Sequence, residues 1–290
     1  MVNLFEIVPN ISEGRNLSII RAVAEYVENK SSLKILDIHS DPDHNRSVFT
    51  IVGTAEPIME AAFRLVEKTA ELIDVTKHSG VHPFIGSTDV LPFIPLGNSS
   101  MDEAVEYAKE AGGRIWRELK IPVYLYGEAN PDSERFNLPN IRKGGLSGLR
   151  DRIHDFTPDI GDPKLHPMAG SIAVGARKVL IAFNVNLKTD NLILTKEIAR
   201  SLREKHGGLP AVRALGLALT SRGITQVSMN LIDYEKSGLL AAYNAVETLA
   251  KANGIDILES EIVGMVPKEA VSAGLTEKLK LIQPIMVLPA

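Results

Sequence analysis

The sequence predicts an α+β protein in which a βαββαβ order of elements occurs twice. Three observations carry that expectation. Short apolar runs alternate with longer segments whose apolar positions recur at helical spacing. Clusters of Gly, Pro, Asn, Asp and Ser mark the changes from one to the other. The 290 residues, 44% hydrophobic and 5% aromatic, suffice for one large core or two smaller ones.

The first series opens with the apolar run Asn3–Val8, which ends at Pro9 and suits a strand. Asn16 then caps a helical pattern in which Leu17, Ile20, Val23, Ala24 and Val27 share one face. Leu33–His39 and Ser47–Val52 read as the next two strands, joined by the turn-rich run Ser-Asp-Pro-Asp-His-Asn. Glu56–Ile73 repeats apolar positions at helical spacing. Val90–Pro95 is a fourth strand whose two prolines assign it to an edge. Met101–Leu119 adds an amphipathic helix and Pro122–Tyr126 a further strand.

The second series follows the same order. Lys178–Asn186 is a strand and Asn191–Glu204 a helix. Val212–Thr220 and Thr225–Ile232 are strands joined tightly around Ser221-Arg222-Gly223. A helix over Leu239–Ala252 and a strand near Leu258–Val263 complete it. The expected organisation is therefore two ferredoxin-like, split βαβ subdomains, residues 1–177 and 178–290, with antiparallel or mixed sheets facing a central cleft. Between the series, Arg150–Arg177 is rich in Pro, Gly, Asp and His and lacks periodicity, the mark of a functional or a disordered stretch, and a functional one is the expectation.

Strand alternation sorts the polar side chains. Gln226, Ser228 and Asn230 oppose Val227, Met229 and Leu231, while Ala182, Asn184 and Asn186 oppose Ile181, Phe183 and Val185. Asp37 and His39 share a face. These residues face either water or the cleft. Amides and a serine, without long charged chains among them, point to the cleft.

Composition excludes several functions. A formal net charge of −4 gives no global attraction to nucleic acid or anionic membrane. The lack of cysteine removes a disulfide framework, a thiolate zinc site and a cysteine nucleophile. The N-terminal Met-Val-Asn-Leu-Phe-Glu has no secretory pattern, and no apolar run reaches the ~20 residues that span a bilayer. Cytoplasmic residence is the expectation. Gly112-Gly113 and Gly144-Gly145 lack the context of a phosphate-binding loop, and there is no Gly-x-Ser-x-Gly elbow.

The seven histidines are His39, His44, His78, His82, His154, His166 and His206. His78 and His82 have the spacing of zinc ligands on a helix, but Gly80 and Pro83 break a helix there and no third ligand is evident. The expectation is no metal. Pro83 restricts the backbone of His82, which suits either a positioned general acid–base group or a histidine that only caps a turn. Asp41-Pro-Asp-His-Asn-Arg46 reads as an Asx turn with a solvated arginine. Arg142-Lys143 and Arg177-Lys178 are local basic pairs able to hold a carboxylate.

Several blocks, in order and covering nearly the whole chain, resemble the formimidoyltransferase domain of the bifunctional formimidoyltransferase–cyclodeaminases. They are Val8-Pro-Asn-Ile-Ser-Glu-Gly-Arg15, Asn45-Arg-Ser-Val-Phe-Thr-Ile-Val-Gly53, His82-Pro-Phe-Ile-Gly-Ser-Thr-Asp-Val90, Val123-Tyr-Leu-Tyr-Gly-Glu128, Gly175-Ala-Arg-Lys178, Ala182-Phe-Asn-Val-Asn-Leu187 and Gln226-Val-Ser-Met-Asn-Leu231. No counterpart of the cyclodeaminase half is among them. The resemblance implies transfer of a formimidoyl group from N-formimidoyl-L-glutamate to N5 of tetrahydrofolate, a step of histidine breakdown. It also implies a homodimer or higher homo-oligomer. The family's catalytic histidine falls on His82. Its folate-binding segment falls on Gly161-Asp162-Pro163-Lys164-Leu165-His166-Pro167-Met168-Ala169-Gly170. That segment lacks the serine and tryptophan of the family pattern. His39 stands where the family has aspartate, with Asp37 two residues back as the acid able to replace it.

On this reading His82 moves protons with Asp37 and His39 nearby. Arg46 and Arg177 clamp the carboxylates of the donor, and Asn184 and Asn230 orient the substrates. Tetrahydrofolate is the co-substrate, and no metal takes part. The alternatives are a formyl donor, N-formylglutamate or 5-formyltetrahydrofolate, and a non-catalytic folate-binding module.

Overall fold

Apolar side chains at every second position make β1 (Leu4–Ile7) and β2 (Asn10–Ile11), two parts of one strand interrupted at Pro9. The computed structural model describes residues 3–289, which divide into two compact units, the first ending at Arg177 and the second beginning at Lys178. In the first unit β1 and β2 lie between β4 (Arg46–Gly53) and β5 (Thr88–Leu96), antiparallel to both. Outside β4 runs β3 (Ile35–Asp41). Beyond β5 come β7 (Ile172–Ala176) and then β6 (Val123–Gly127), parallel to β5 and to each other.

Three helices cover one face of this sheet. The Asn16 side chain caps α1 (Leu17–Ser31) by accepting from the backbone N–H groups of Ser18 and Ile19. Helix α2 (Ala55–Leu72) follows β4 directly. Helix α3 (Met101–Leu119) starts with a capping box between Ser100 and Glu103. Their apolar stripes close on Phe5, Phe49, Leu91 and Phe93, all fully buried. The side chains on the other face follow from the register. Glu6 and Asn10 lie opposite Val52 and Val48, and Asp37 and His39 opposite Thr50 and Val48.

Two expectations need correction here. Strand β5 is central, not an edge, because β1 and β2 bind it on one side and β7 on the other. Pro92 sits opposite Gly175 and Pro95 opposite Phe5, so each removes one donor from a ladder that is otherwise long enough to hold. The stretch 150–177 is not irregular throughout. It contains the end of α6 (Gly145–Arg152) and all of β7. Before α6 come two single turns, α4 (Ser133–Phe136) and α5 (Leu138–Ile141).

The second unit has a four-stranded antiparallel sheet. Its order is β11 (Ile257–Val263), β8 (Ile181–Leu187), β10 (Ile224–Leu231) and β9 (Val212–Leu219). Helices α7 (Leu192–Leu202, capped by Asn191) and α8 (Leu239–Ala252) pack their apolar faces against Phe183, Val185, Val227 and Met229. The chain ends with the turn α9 (Leu275–Lys278) and isolated parallel bridges from Ser260 to Leu281 and from Val266 to Val287. Among the described residues, no helix is long and apolar enough to cross a membrane.

Glu6 is a buried carboxyl on the face of the first sheet away from the helices. Burial pushes it up to about 7, opposed by the charge of Arg177. Its folded value lies above the unfolded one, so its contribution to stability is complete below about pH 4.5 and is lost as pH rises through about 7. Glu6→Gln is therefore expected to melt near the wild-type temperature at pH 4.5 and above it at pH 8. Thermal unfolding at the two pH values checks this, and equal melting temperatures at pH 8 would contradict it.

Candidate active site

The site begins with a backbone conformation. Asn45 holds φ at +48°, a left-handed value that asparagine tolerates. From there its side chain ties three segments. Its Oδ1 accepts from Gly14 N at 3.0 Å, and its Nδ2 donates to Ser79 O at 3.0 Å and to His78 Nδ1 at 3.2 Å. The loop before α1, the turn between β3 and β4, and the segment before β5 thus converge.

Next to this knot lies a buried charge cluster. The Asp89 carboxylate, fully buried, accepts from Arg46 at 2.6 Å and from Arg142, and its other oxygen accepts from Ile85 N at 2.9 Å. Arg46 also donates from Nε to Asn10 Oδ1 at 2.9 Å. Burial alone would raise Asp89, but the guanidiniums of Arg142 and Arg46 outweigh it and hold the carboxyl below its ordinary value. Burial and the neighbouring Arg142 pull Arg46 down to about 10. Arg46 is therefore no solvated turn arginine, as its loop composition suggested, but one half of a buried pair.

His82 stands beside the cluster, lining an open pocket of about 330 Å³ formed by residues 80–84 with Arg142, Gly144 and Gly145. Its Nδ1 lies 2.8 Å from Pro83 O. A carbonyl oxygen can only accept, so Nδ1 carries the proton and Nε2 is the basic atom. Burial, with the charges of Arg46 and Arg142, holds the imidazole well below its usual range. His82 is thus neutral at physiological pH and able to accept a proton. The rings of His44 and His82 are 6.1 Å apart.

The segment Gly161–Gly170 is fastened to the strand that leaves this histidine. Ser87 N donates to Ala169 O and Ser171 N to Ile85 O, each at 2.9 Å, around a bridge between Gly86 and Gly170. A Cβ on Gly86 would lie 1.7 Å from Ser171 O, so only glycine permits this approach. At the other end a Cβ on Gly161, whose φ is +105°, would strike the Trp116 ring. Within the segment, His166 Nδ1 accepts from Met168 N and Ala169 N, and the His166 and Gly170 backbones exchange two hydrogen bonds. Leu165 packs on the core, Ala169 is buried, and Asp162, Pro163, Lys164, Pro167 and Met168 are exposed.

The other residues singled out in the sequence are spread more widely. Asp37 and His39 lie together on β3, and burial raises Asp37 while His39 opposes the shift. The charges that bear on His82 come instead from Arg46, Arg142 and His44. Arg177 follows β7, donates its backbone N–H to Phe93 O and hydrogen-bonds Tyr126 through its side chain.

In the second unit Asn184 is buried and donates to Glu261 Oε1 at 2.9 Å, to which Gln226 also donates at 3.1 Å. Asn186 donates to Glu259, which pairs with Arg222. Asn230, farther along β10, is exposed. Asn184, Asn186 and Gln226 thus belong to a network whose carboxylates, on β11, the sequence reading did not include. Asp89 escaped it too, since a lone Asp after Ser-Thr carries no local signal. Among the described residues, no group of three or more His, Cys, Asp or Glu side chains is placed to hold a metal ion.

Fold and site define an α+β protein with a neutral, oriented imidazole next to a positively charged pocket, equipment for proton transfer on an anionic small molecule. The comparisons give this class a family. The model of the formiminotransferase domain, N-terminal subdomain, matches residues 4–177, and that of the formiminotransferase domain matches residues 182–276. The chain belongs to the formiminotransferase domain family. It is 43% identical over 272 residues to the glutamate formimidoyltransferase of Streptococcus pyogenes serotype M1, covering 93% of this chain and 91% of that one. The glutamate formimidoyltransferase of Thermoplasma acidophilum is 41% identical, with 93% and 90% covered. The formimidoyltransferase-cyclodeaminase of Rattus norvegicus is 39% identical over 282 residues, 93% of this chain but 51% of that protein. The chain thus spans about half the length of this relative.

Replacing Asp89 by Asn would leave two buried guanidiniums without their counter-charge. Asp89→Asn is expected to destabilise the first unit by roughly 3–5 kcal/mol. Urea unfolding followed at Trp116 measures it, and a loss below about 1 kcal/mol would show that the cluster is not what holds these loops.

Proposed function

We propose that the protein is a glutamate formimidoyltransferase, moving the formimidoyl group of N-formimidoyl-L-glutamate to N5 of tetrahydrofolate. One observation carries the chemistry: His82 is neutral, presents Nε2 as a base, and borders a pocket that carries positive charge. The relatives named glutamate formimidoyltransferase, 41% and 43% identical over nine-tenths of this chain, support the substrate assignment.

The reaction needs two proton transfers. As N5 attacks the formimidoyl carbon and the new C–N bond forms, N5 loses a proton to His82 Nε2. The tetrahedral intermediate then breaks its bond to the glutamate nitrogen, which takes that proton and leaves as the amine. One imidazole returns to its starting state after both steps, a contribution of about 10²–10⁴ in rate. Holding the two nitrogens near one carbon contributes at least as much. The donor's carboxylates match the positive cluster around Asp89, and Arg46 and Arg177 are the arginines first assigned to them. Asp37 with His39 on β3, and Asn184 with Asn230 on the second sheet, belong to the same reading as groups that orient the substrates. The tie between Gly161–Gly170 and residues 85–87 supports a role for that segment in holding folate. The ferredoxin-like description of each unit finds support in the sheet orders, where the first strand lies between the third and the fourth. Cytoplasmic residence and a homo-oligomer complete the reading.

Purified protein with tetrahydrofolate and N-formimidoyl-L-glutamate should form 5-formimidoyltetrahydrofolate, followed by absorbance. His82→Ala should lower kcat at least a hundredfold. Because the His82 value is depressed, kcat should stay level from pH 8 down through 6.5 and fall only in more acid solution. A fall centred at the ordinary histidine value would remove His82 as the base, as would turnover that survives in the variant. Tight folate binding without turnover would point to another donor or to a binding module.

A further inference from the structure

Arg46 and Arg142 both contact Asp89, but they are not equivalent. Arg46 uses its Nε toward Asn10 and its NH1 toward Asp89, so the edge of its guanidinium that could grip a second anion is occupied. Arg142 gives only NH2 to Asp89, and its Nε is buried without a hydrogen-bond partner. A buried, unpaired donor on a cation is costly unless something completes it. Two guanidiniums around one carboxylate also leave one positive charge uncompensated within the cluster.

The surroundings of Arg142 favour an anion. It lines the same pocket as His82, together with Gly144 and Gly145. These two glycines have φ of +77° and +62° and turn the chain tightly after the arginine, Gly145 N donating to Arg142 O at 2.8 Å. The sequence showed this glycine pair without a phosphate-loop context, and the neighbouring arginine gives it a different use.

We infer that Arg142 is the carboxylate-binding site of the donor, holding one carboxylate of N-formimidoyl-L-glutamate through its guanidinium beside His82. This rests on the proposed transferase reading. It moves the clamp from Arg46, whose task is to hold Asp89, to Arg142, which Asp89 orients. A planar fork suits a carboxylate, and a donor whose carboxylate is blocked as an amide would leave the fork unpaired.

The test uses the full-length protein and an inert probe, N-acetyl-L-glutamate, titrated calorimetrically into wild type, Arg142→Gln and Arg142→Lys. Wild type should bind the probe. Arg142→Gln should weaken it at least tenfold, and Arg142→Lys, which keeps the charge but not the fork, several-fold. In turnover, Arg142→Gln should raise KM for N-formimidoyl-L-glutamate at least tenfold while KM for tetrahydrofolate stays within twofold. Probe affinity equal in wild type and Arg142→Gln would overturn the assignment, and so would parallel rises in both KM values, the mark of a merely structural role. If Arg142→Gln does not fold, unchanged probe binding by Arg142→Lys would overturn it equally. Probe binding that depends on Arg142, in a wild type that transfers no formimidoyl group, would discard the transferase reading and keep the carboxylate site.

Discussion

Everything around His82 depends on one buried carboxylate. Asp89 has no exposed surface, and a lone ionised group there would be untenable. Two guanidiniums and a backbone N–H make it stable, and in doing so they draw together β4, the segment before β5 and the turn after α5. Such a cluster is weak evidence for net stability, since burying three charges costs about what their attraction returns. What it does supply is position. Burial, and with it the same positive charge that fixes the loops, keeps His82 neutral, so one arrangement sets both the place of the imidazole and its protonation state.

A second constraint is backbone packing. Ser12 donates to Gly86 O and Ser87 O accepts from Ser12 N, while on its other side the same strand segment meets residues 169–171. Three stretches of main chain lie side by side with little side-chain volume between them. The loop carrying His82 thus leaves from a rigid base, which suits a group whose reach must be fixed before its basicity matters.

Much of the fold was legible because the deciding signals were local. Asn16 announced α1, the amphipathic spacing over Met101–Leu119 announced α3, and alternation in Gln226–Leu231 gave β10 its two faces. Strand β7 was not legible, because Ile-Ala-Val-Gly-Ala, buried on both faces between parallel neighbours, has no alternation to read. The prolines of β5 misled for a related reason: strand position is decided by partners about 80 residues away in sequence. In the site, His82 and the segment 161–170 stood out through family resemblance. Asp89 did not, since its partners Arg46 and Arg142 lie 43 and 53 residues from it. Local spacing cannot express such a pairing.

The closure of the segment 161–170 separates two kinds of sequence freedom. Its ends are held by contacts in which a Cβ at Gly161, Gly86 or Gly170 would collide with a ring or a carbonyl, so those positions admit almost no replacement. Between them, the side chains of Asp162, Pro163, Lys164, Pro167 and Met168 are exposed. A lineage can therefore rewrite the outward residues, and with them whatever the loop touches, while the path of its backbone stays the same. The outward sequence can drift there at almost no cost in foldability, which makes this loop a natural place for related proteins to diverge.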